Sequence, residues 1–145
     1  MKSLKVREVM TTNVSVAREN STIKEVADQM KSLNVGSIPV CDSSNRPIGI
    51  VTDRDIVVRG LTSGRDNSAP VSSVMTRNVV SVSPDTDIHE AARIMADNQI
   101  RRLPVVENGK LVGILSIGDL AVRDIYVNEA GDALSSISEP SRPMK

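Results

Sequence analysis

Val6-Arg-Glu-Val-Met-Thr-Thr-Asn-Val14 and Val71-Ser-Ser-Val-Met-Thr-Arg-Asn-Val79 agree at six of nine positions, 65 residues apart. Working outward at the same offset, Ile23, Glu25, Ala27 and Met30 meet Ile88, Glu90, Ala92 and Met95, and Pro39-Val40 meets Pro104-Val105. After a one-residue deletion, Gly49-Ile-Val-Thr-Asp-Arg-Asp-Ile56 lies over Gly113-Ile-Leu-Ser-Ile-Gly-Asp-Leu120. Two copies make a tandem pair, whereas a solenoid needs more.

Each copy changes its periodicity in the same order. Val14 to Val16 is a short β-rich run, and its counterpart is Val79 to Val82. A helix follows, with Ile23, Val26, Ala27, Met30 and Leu33 on one face of a 3.6-residue period. Thr22 with Glu25, and Asp87 with Glu90, signal the two helix starts as capping boxes. Ser37 to Cys41 and Ile48 to Val51 read as strands around the turn-rich Asp42 to Pro47, and Leu103 to Val106 and Leu111 to Leu115 flank Glu107-Asn-Gly-Lys110, a tight-hairpin signal. A last helix is expected over about 53–59 and again over about 117–127. The order is β-α-β-β-α, twice.

This predicts an α+β protein with a first repeat over 6–60, a linker over 61–70, a second repeat over 71–127 and a flexible polar tail over 128–145. One unit of about 60 residues is marginal alone. Two are expected to pack sheet to sheet about a pseudo-twofold axis, leaving two related clefts.

Composition narrows the function. The 145 residues carry 18 Lys plus Arg against 18 Asp plus Glu, divided ten to eight over residues 1–66 and eight to ten over 67–145. No basic face for nucleic acid or an anionic membrane is expected. Phe and Trp are absent and Tyr126 is the sole aromatic, which excludes base-stacking platforms. Cys41 is the single cysteine, excluding an intrachain disulfide, and His89 is the single histidine. Neither a metal site nor a nucleophile–base pair is visible, so a catalyst is not expected. MKSLKVREVM has no signal-peptide core and no apolar run approaches the roughly 20 residues of a span, so a cytoplasmic location is expected.

Thr52-x-x-Asp55 recurs as Ser116-x-x-Asp119. A carboxylate at a helix start can accept from the vicinal hydroxyls of a ribose, with the earlier hydroxyl and the helix amides facing phosphate. The same spacing is also a capping box that needs no ligand. Arg101-Arg102 precedes Leu103-Pro104-Val105, where the first copy has Gly36-Ser37 before Ile38-Pro39-Val40. Adjacent residues at a strand start face opposite ways, so one arginine can offer its planar fork to phosphate or both can lie in solvent. Arg54 is a further phosphate candidate.

The doubled unit, with Val-Met-Thr at its opening, Ile-Pro-Val or Leu-Pro-Val on its middle strand and Gly-Ile-Val-Thr-x-x-Asp leading into its last helix, resembles the CBS domain, named after cystathionine beta-synthase. A tandem pair is a Bateman module, and the resemblance covers roughly residues 6–125. It implies a stand-alone regulatory module, with no catalytic cofactor, that binds an adenine nucleotide of the AMP, ADP or ATP class or a related adenosine compound. It further implies energy sensing, homodimerisation through the last helices and signalling to a target protein. The resemblance puts ribose on Asp55 and Asp119. It pairs Asp119 with Thr11, Asn13 and Val14, and Asp55 with Thr76, Asn78 and Val79. The structural alternative for these openings is a turn held by Thr and Asn side chains. Ser37, Thr52, Ser116 and Ile114 complete the candidate set, with adenine expected between aliphatic side chains such as Val14, Val35, Ile38 and Ile114. A ligand-free dimerising stress or interaction scaffold is the competing reading.

Overall fold

Helix α1, Ile23–Leu33, begins where Thr22 accepts the Glu25 amide at 3.1 Å and ends at Asn34, in the left-handed region at φ 55°. Its repeat, α3 over Ile88–Asn98, begins at Asp87 and ends at Gln99, φ 54°. The computed structural model, which describes residues 4–121 and Ile137, thus places caps at equivalent positions in both copies. Asp87 accepts the His89 amide at 2.8 Å, a bond one residue earlier than the expected box with Glu90. Ile23, Val26 and Met30 of α1 are buried, but Ala27 and Leu33, assigned to the same face by periodicity, are exposed. Ala92, the counterpart of Ala27, is buried.

Strands β1 (Ala17–Arg18), β2 (Ser37–Cys41) and β3 (Pro47–Thr52) form a sheet in that order, β1 parallel and β3 antiparallel to β2. In the second copy β4 (Arg102–Glu107) pairs with β5 (Lys110–Ser116), and Val82 bridges Val105 in parallel, as Ala17 pairs Val40. The expected strand at Val14 to Val16 therefore starts later. The α1 side chain Gln29 donates to the Val16 carbonyl at 3.1 Å and to the Ser15 hydroxyl, drawing this run toward the helix. Asn108 and Gly109, φ 53° and 77°, make the tight turn that Asn-Gly predicts. The first hairpin is longer, and its Asp42 carboxylate accepts from the Ser44 and Arg46 amides.

The last helix of the first copy is not uniform. A single α-turn, α2 over Asp53–Asp55, passes into a π-helical turn over Ile56–Gly60 and a 3₁₀ turn over Leu61–Ser63. Its counterpart α4 covers Ile117–Ala121. The expected continuation to Val127 and the expected tail lie outside the described residues. The expected linker is bound in part to α1, whose Ile23 and Lys24 amides donate to the Ala69 and Asn67 carbonyls.

The chain packs as two compact units whose membership is interleaved with the sequence repeats. The first-repeat unit holds Asn13–Val79 and Asn108–Leu111, and the second-repeat unit holds, of the described residues, 4–12, Val80–Glu107 and 112–121. Each unit thus takes the opening segment of the other copy. Val6, together with Ile88, Met95, Leu103 and Leu115, forms the second-repeat core, while Val71, Val74 and Met75 join Val26, Ile38, Val40 and Val51 in the first. Cys41 is buried at the end of β2, and that burial pushes its thiol pKa up.

Candidate functional site

In the second-repeat unit, β5 carries Ile114 and ends at Ser116, immediately before α4. The Thr11 amide donates to the Ile114 carbonyl and the Ile114 amide to the Thr11 carbonyl, both at 2.9 Å. This pair of hydrogen bonds to the opening segment needs Gly113, because a Cβ there would lie 2.7 Å from Met10 Sδ and 3.0 Å from the Thr11 carbonyl oxygen. Two residues beyond Ile114, Ser116 and Asp119 form a reciprocal capping box. The Ser116 amide donates to Asp119 Oδ2 at 2.8 Å and the Asp119 amide to Ser116 Oγ at 3.2 Å. One carboxylate oxygen is thus anchored, and Oδ1 has no partner among the described residues. The start of β4 lies beside this turn, since the Ile117 amide donates to the Arg101 carbonyl at 2.9 Å. Arg101 is exposed and Arg102 half-buried.

The first-repeat unit repeats this construction with its own residues. Thr76 and Ile50 exchange backbone hydrogen bonds at 2.8 and 2.9 Å. Gly49 admits this approach, as a Cβ there would lie 2.8 Å from the Thr76 carbonyl oxygen. Thr52 and Asp55 form the box, with the Thr52 amide on Asp55 Oδ2 and the Asp55 amide on Thr52 Oγ1, each at 3.0 Å. Here Asp55 Oδ1 has a neighbour, Arg59 Nε at 3.8 Å, and Arg59 Nη1 donates to the Met75 carbonyl at 3.4 Å. The Asp55 side chain is 14% exposed. Arg59 was not singled out by sequence, although its i,i+4 spacing from Asp55 carried the signal.

The capping alternative for Ser/Thr-x-x-Asp is therefore realised in both copies, and it does not consume the carboxylate. A cap that holds Oδ2 leaves Oδ1 as an acceptor fixed in direction. The other candidates are placed less uniformly. Thr11 and Ile114 share a unit with Asp119, while Asn13 and Val14 belong to the other unit. Thr76, Asn78 and Val79 share a unit with Asp55. Ile38 and Ile114 are 1% and 3% exposed, so of the aliphatic walls expected around adenine only Val14 and Val35 are partly open.

Around the boxes the two units differ. In the first-repeat unit the Asp53 amide donates to the Gly36 carbonyl at 2.9 Å, and Asp53 Oδ1 accepts the Arg54 amide at 2.8 Å. The Asp53 carboxylate stands over Gly36, with Oδ2 3.2 Å from where a Cβ would be. Ser37, at the start of β2, is half-buried and Arg54 is exposed. A surface hollow lined by Arg18, Glu19, Asn20, Cys41, Asp42 and Ser43 lies at the opposite end of β2 and contains none of the candidate residues. Among the described residues no three His, Cys, Asp or Glu side chains gather as a metal site would require, and no helix is long and apolar enough to cross a membrane.

A doubled β-α-β-β-α unit, with a carboxylate boxed at the start of each last helix and the opening of each copy bound to the strand before it, defines an α+β tandem repeat of one recognisable class. The CBS domain family matches residues 6–60 and 71–125, and the chain belongs to it. The CBS domain-containing protein YhcV of Bacillus subtilis is 46% identical over 133 residues, covering 92% of this chain and 94% of the relative. Among solved structures, the CBS domain protein PAE2072 from Pyrobaculum aerophilum, complexed with AMP, superposes with a TM-score of 0.77 at 28% identity, covering 88% of this chain and 98% of that one. The CBS domain pair of protein MJ0100, in complex with 5′-methylthioadenosine and S-adenosyl-L-methionine, superposes with a TM-score of 0.73 at 26% identity, covering 83% of this chain and 95% of that one.

Proposed function

We propose that this protein is a ligand-sensing regulatory module, and not a catalyst, that binds adenosine compounds of the AMP, ADP or ATP class at the starts of its last helices and signals occupancy to a partner protein in the cytoplasm. The observation that carries the reading is the doubled box. In each unit a backbone amide fixes Oδ2 of Asp55 or Asp119, and Oδ1, which at Asp55 also faces Arg59 Nε at 3.8 Å, keeps lone pairs to accept from a ribose hydroxyl. The adenosine ligands of two similar structures support the same chemistry. Arg101 and Arg102, beside the Asp119 box, are the phosphate readers of this reading. Calorimetric titration of the purified protein with AMP, ADP, ATP and S-adenosylmethionine tests it. Saturable heat with at least one compound is expected. Neither heat nor a melting shift at millimolar concentrations would leave the ligand-free scaffold as the function.

The reading includes a homodimer, for which one surface speaks directly. Val57, Val58 and Leu61 are 52%, 47% and 74% exposed on the π-helical and 3₁₀ turns that follow Asp55. Consecutive exposed aliphatic side chains are costly to leave in water and suit a protein contact. Sedimentation equilibrium at micromolar concentration should give twice the 15.6 kDa chain mass. A 15.6 kDa species alone would remove the dimer.

A further inference from the structure

Residue for residue, the aligned positions next to the two boxes carry opposite net charge. At the start of the middle strand the first-repeat unit has Gly36-Ser37 and the second-repeat unit Arg101-Arg102; after the box hydroxyl they have Asp53-Arg54 and Ile117-Gly118. Counting these positions with the boxed aspartate, the first-repeat site carries Asp53, Arg54 and Asp55 for a net charge of −1, which Arg59, 3.8 Å from Asp55 Oδ1, brings to zero. The second-repeat site carries Arg101, Arg102 and Asp119 for a net charge of +1. The inversion is local. The Asp53 carboxylate occupies the space over Gly36, the position at which the other unit bears the Arg101 side chain.

Hydrogen bonding points the same way. In the first-repeat unit the amides of Asp53, Arg54 and Asp55 are all taken, by the Gly36 carbonyl, Asp53 Oδ1 and Thr52 Oγ1. In the second-repeat unit Ile117 and Asp119 are bonded likewise, but the Gly118 amide has no partner among the described residues. Asp53 thus removes a donor and adds an anion at the place where the other site keeps a donor and adds two cations. A phosphate monoester at pH 7 carries between one and two negative charges, so it is favoured by the second arrangement over the first, where the Asp53 carboxylate opposes it.

The geometry points to a division of labour between the repeats. The Asp119 site takes a phosphate-bearing adenosine compound, and the Asp55 site takes an adenosine compound without phosphate, whose 5′ substituent is neutral or cationic, with Asp53 as the residue that discriminates. This rests on the adenosine reading above and deepens it.

The experiment uses AMP and S-adenosylmethionine as the two probes in calorimetry on the full chain, with thermal melting to confirm folding. AMP is expected to saturate near one molecule per chain. AMP affinity should fall by about ten- to a hundredfold in Asp119→Asn and persist in Asp55→Asn, with the reverse for S-adenosylmethionine. Asparagine keeps an acceptor for the Ser116 or Thr52 amide, so the boxes survive the change. Asp53→Ile, which installs the residue found at the equivalent position, should create a second AMP site and weaken S-adenosylmethionine by about tenfold. Arg102→Ser should weaken AMP by about tenfold and leave S-adenosylmethionine unchanged. Two equivalent AMP sites in the parent protein, or loss of AMP in Asp55→Asn, would overturn the division while leaving the adenosine reading in place. Absence of heat with every adenosine compound would overturn both.

Discussion

Gly49→Val should lower the stability of the first-repeat unit by about 3 kcal/mol, the upper part of the range for forcing a side chain into a filled space. A chain of this size then melts roughly 10 °C lower. The Gly49 backbone faces the opening segment of the second copy so closely that even a Cβ would meet the Thr76 carbonyl oxygen at 2.8 Å and Met75 Sδ at 2.7 Å. The sulfur sits on a flexible side chain and can move. The carbonyl is held by the Ile50 amide at 2.9 Å, and moving it breaks the paired bond in which the Thr76 amide meets the Ile50 carbonyl. Gly113→Val meets the same obstacle slightly relaxed, with the Thr11 carbonyl at 3.0 Å, and should cost less. Differential scanning calorimetry of both variants measures the effect. A melting temperature within a degree of the parent for Gly49→Val would mean that residues 74–77 slide at no cost, and the close approach would not be what places Thr76.

These two glycines also show what a sequence can and cannot disclose about this fold. The repeat is legible because equivalent positions need equivalent side chains. Thr22 and Asp87 cap helices, Asn108-Gly109 turns a hairpin, and Ile-Pro-Val and Leu-Pro-Val fill the middle strands, each for a local reason. The interleaving of the units is not local. Val6 and Val71 are apolar, but a pattern that says they are buried does not say in which core. Only the glycine at the same place in both last strands hints that a foreign backbone crosses there. The run Val14 to Val16 fails for a related reason. Its β propensity is real, yet a ladder needs a partner in register, and the Gln29 side chain claims the Val16 carbonyl first. Ala27 and Leu33 mark the limit of helical periodicity, since a face predicted by spacing is wider than the contact α1 actually makes.

The candidate site divides along similar lines. Thr52, Asp55, Ser116 and Asp119 stand out because their spacing is fixed by helix geometry, whether the carboxylate serves the cap, a ligand or both. The structure shows one oxygen in the cap, so the two readings do not compete. The sequence comparison of Gly36-Ser37 with Arg101-Arg102 exposes half of the charge inversion. The other half, Asp53, is hidden inside Thr-Asp-Arg-Asp, where it resembles an ordinary acidic residue in a first helical turn. Its bond to the adjacent Arg54 amide and its position over Gly36 depend on a strand start distant in sequence.

Asp119→Ala should weaken AMP binding by about ten- to a hundredfold, because removing a charged acceptor from a hydrogen bond costs roughly 1.5 to 3 kcal/mol. The expectation follows from how the carboxylate is held. Ser116 donates to Oδ2 at 2.8 Å and so fixes the side-chain direction, and Oδ1 is presented without a competing partner among the described residues. An acceptor fixed before binding gives up little entropy when a ribose hydroxyl arrives. The variant also loses its half of the capping box, worth about 1 kcal/mol of stability. A fall in affinity could therefore reflect a frayed α4 in place of a lost ribose contact. Ser116→Ala separates the two, since it removes the hydroxyl that accepts the Asp119 amide at 3.2 Å and leaves the carboxylate. If the ribose reading holds, Ser116→Ala lowers the melting temperature about as much as Asp119→Ala but retains affinity for adenosine, which has no phosphate for the Ser116 hydroxyl to face, to within a few fold. Equal losses of adenosine binding in the two variants, tracking their losses of stability, would assign Asp119 to the helix cap alone and take ribose away from it.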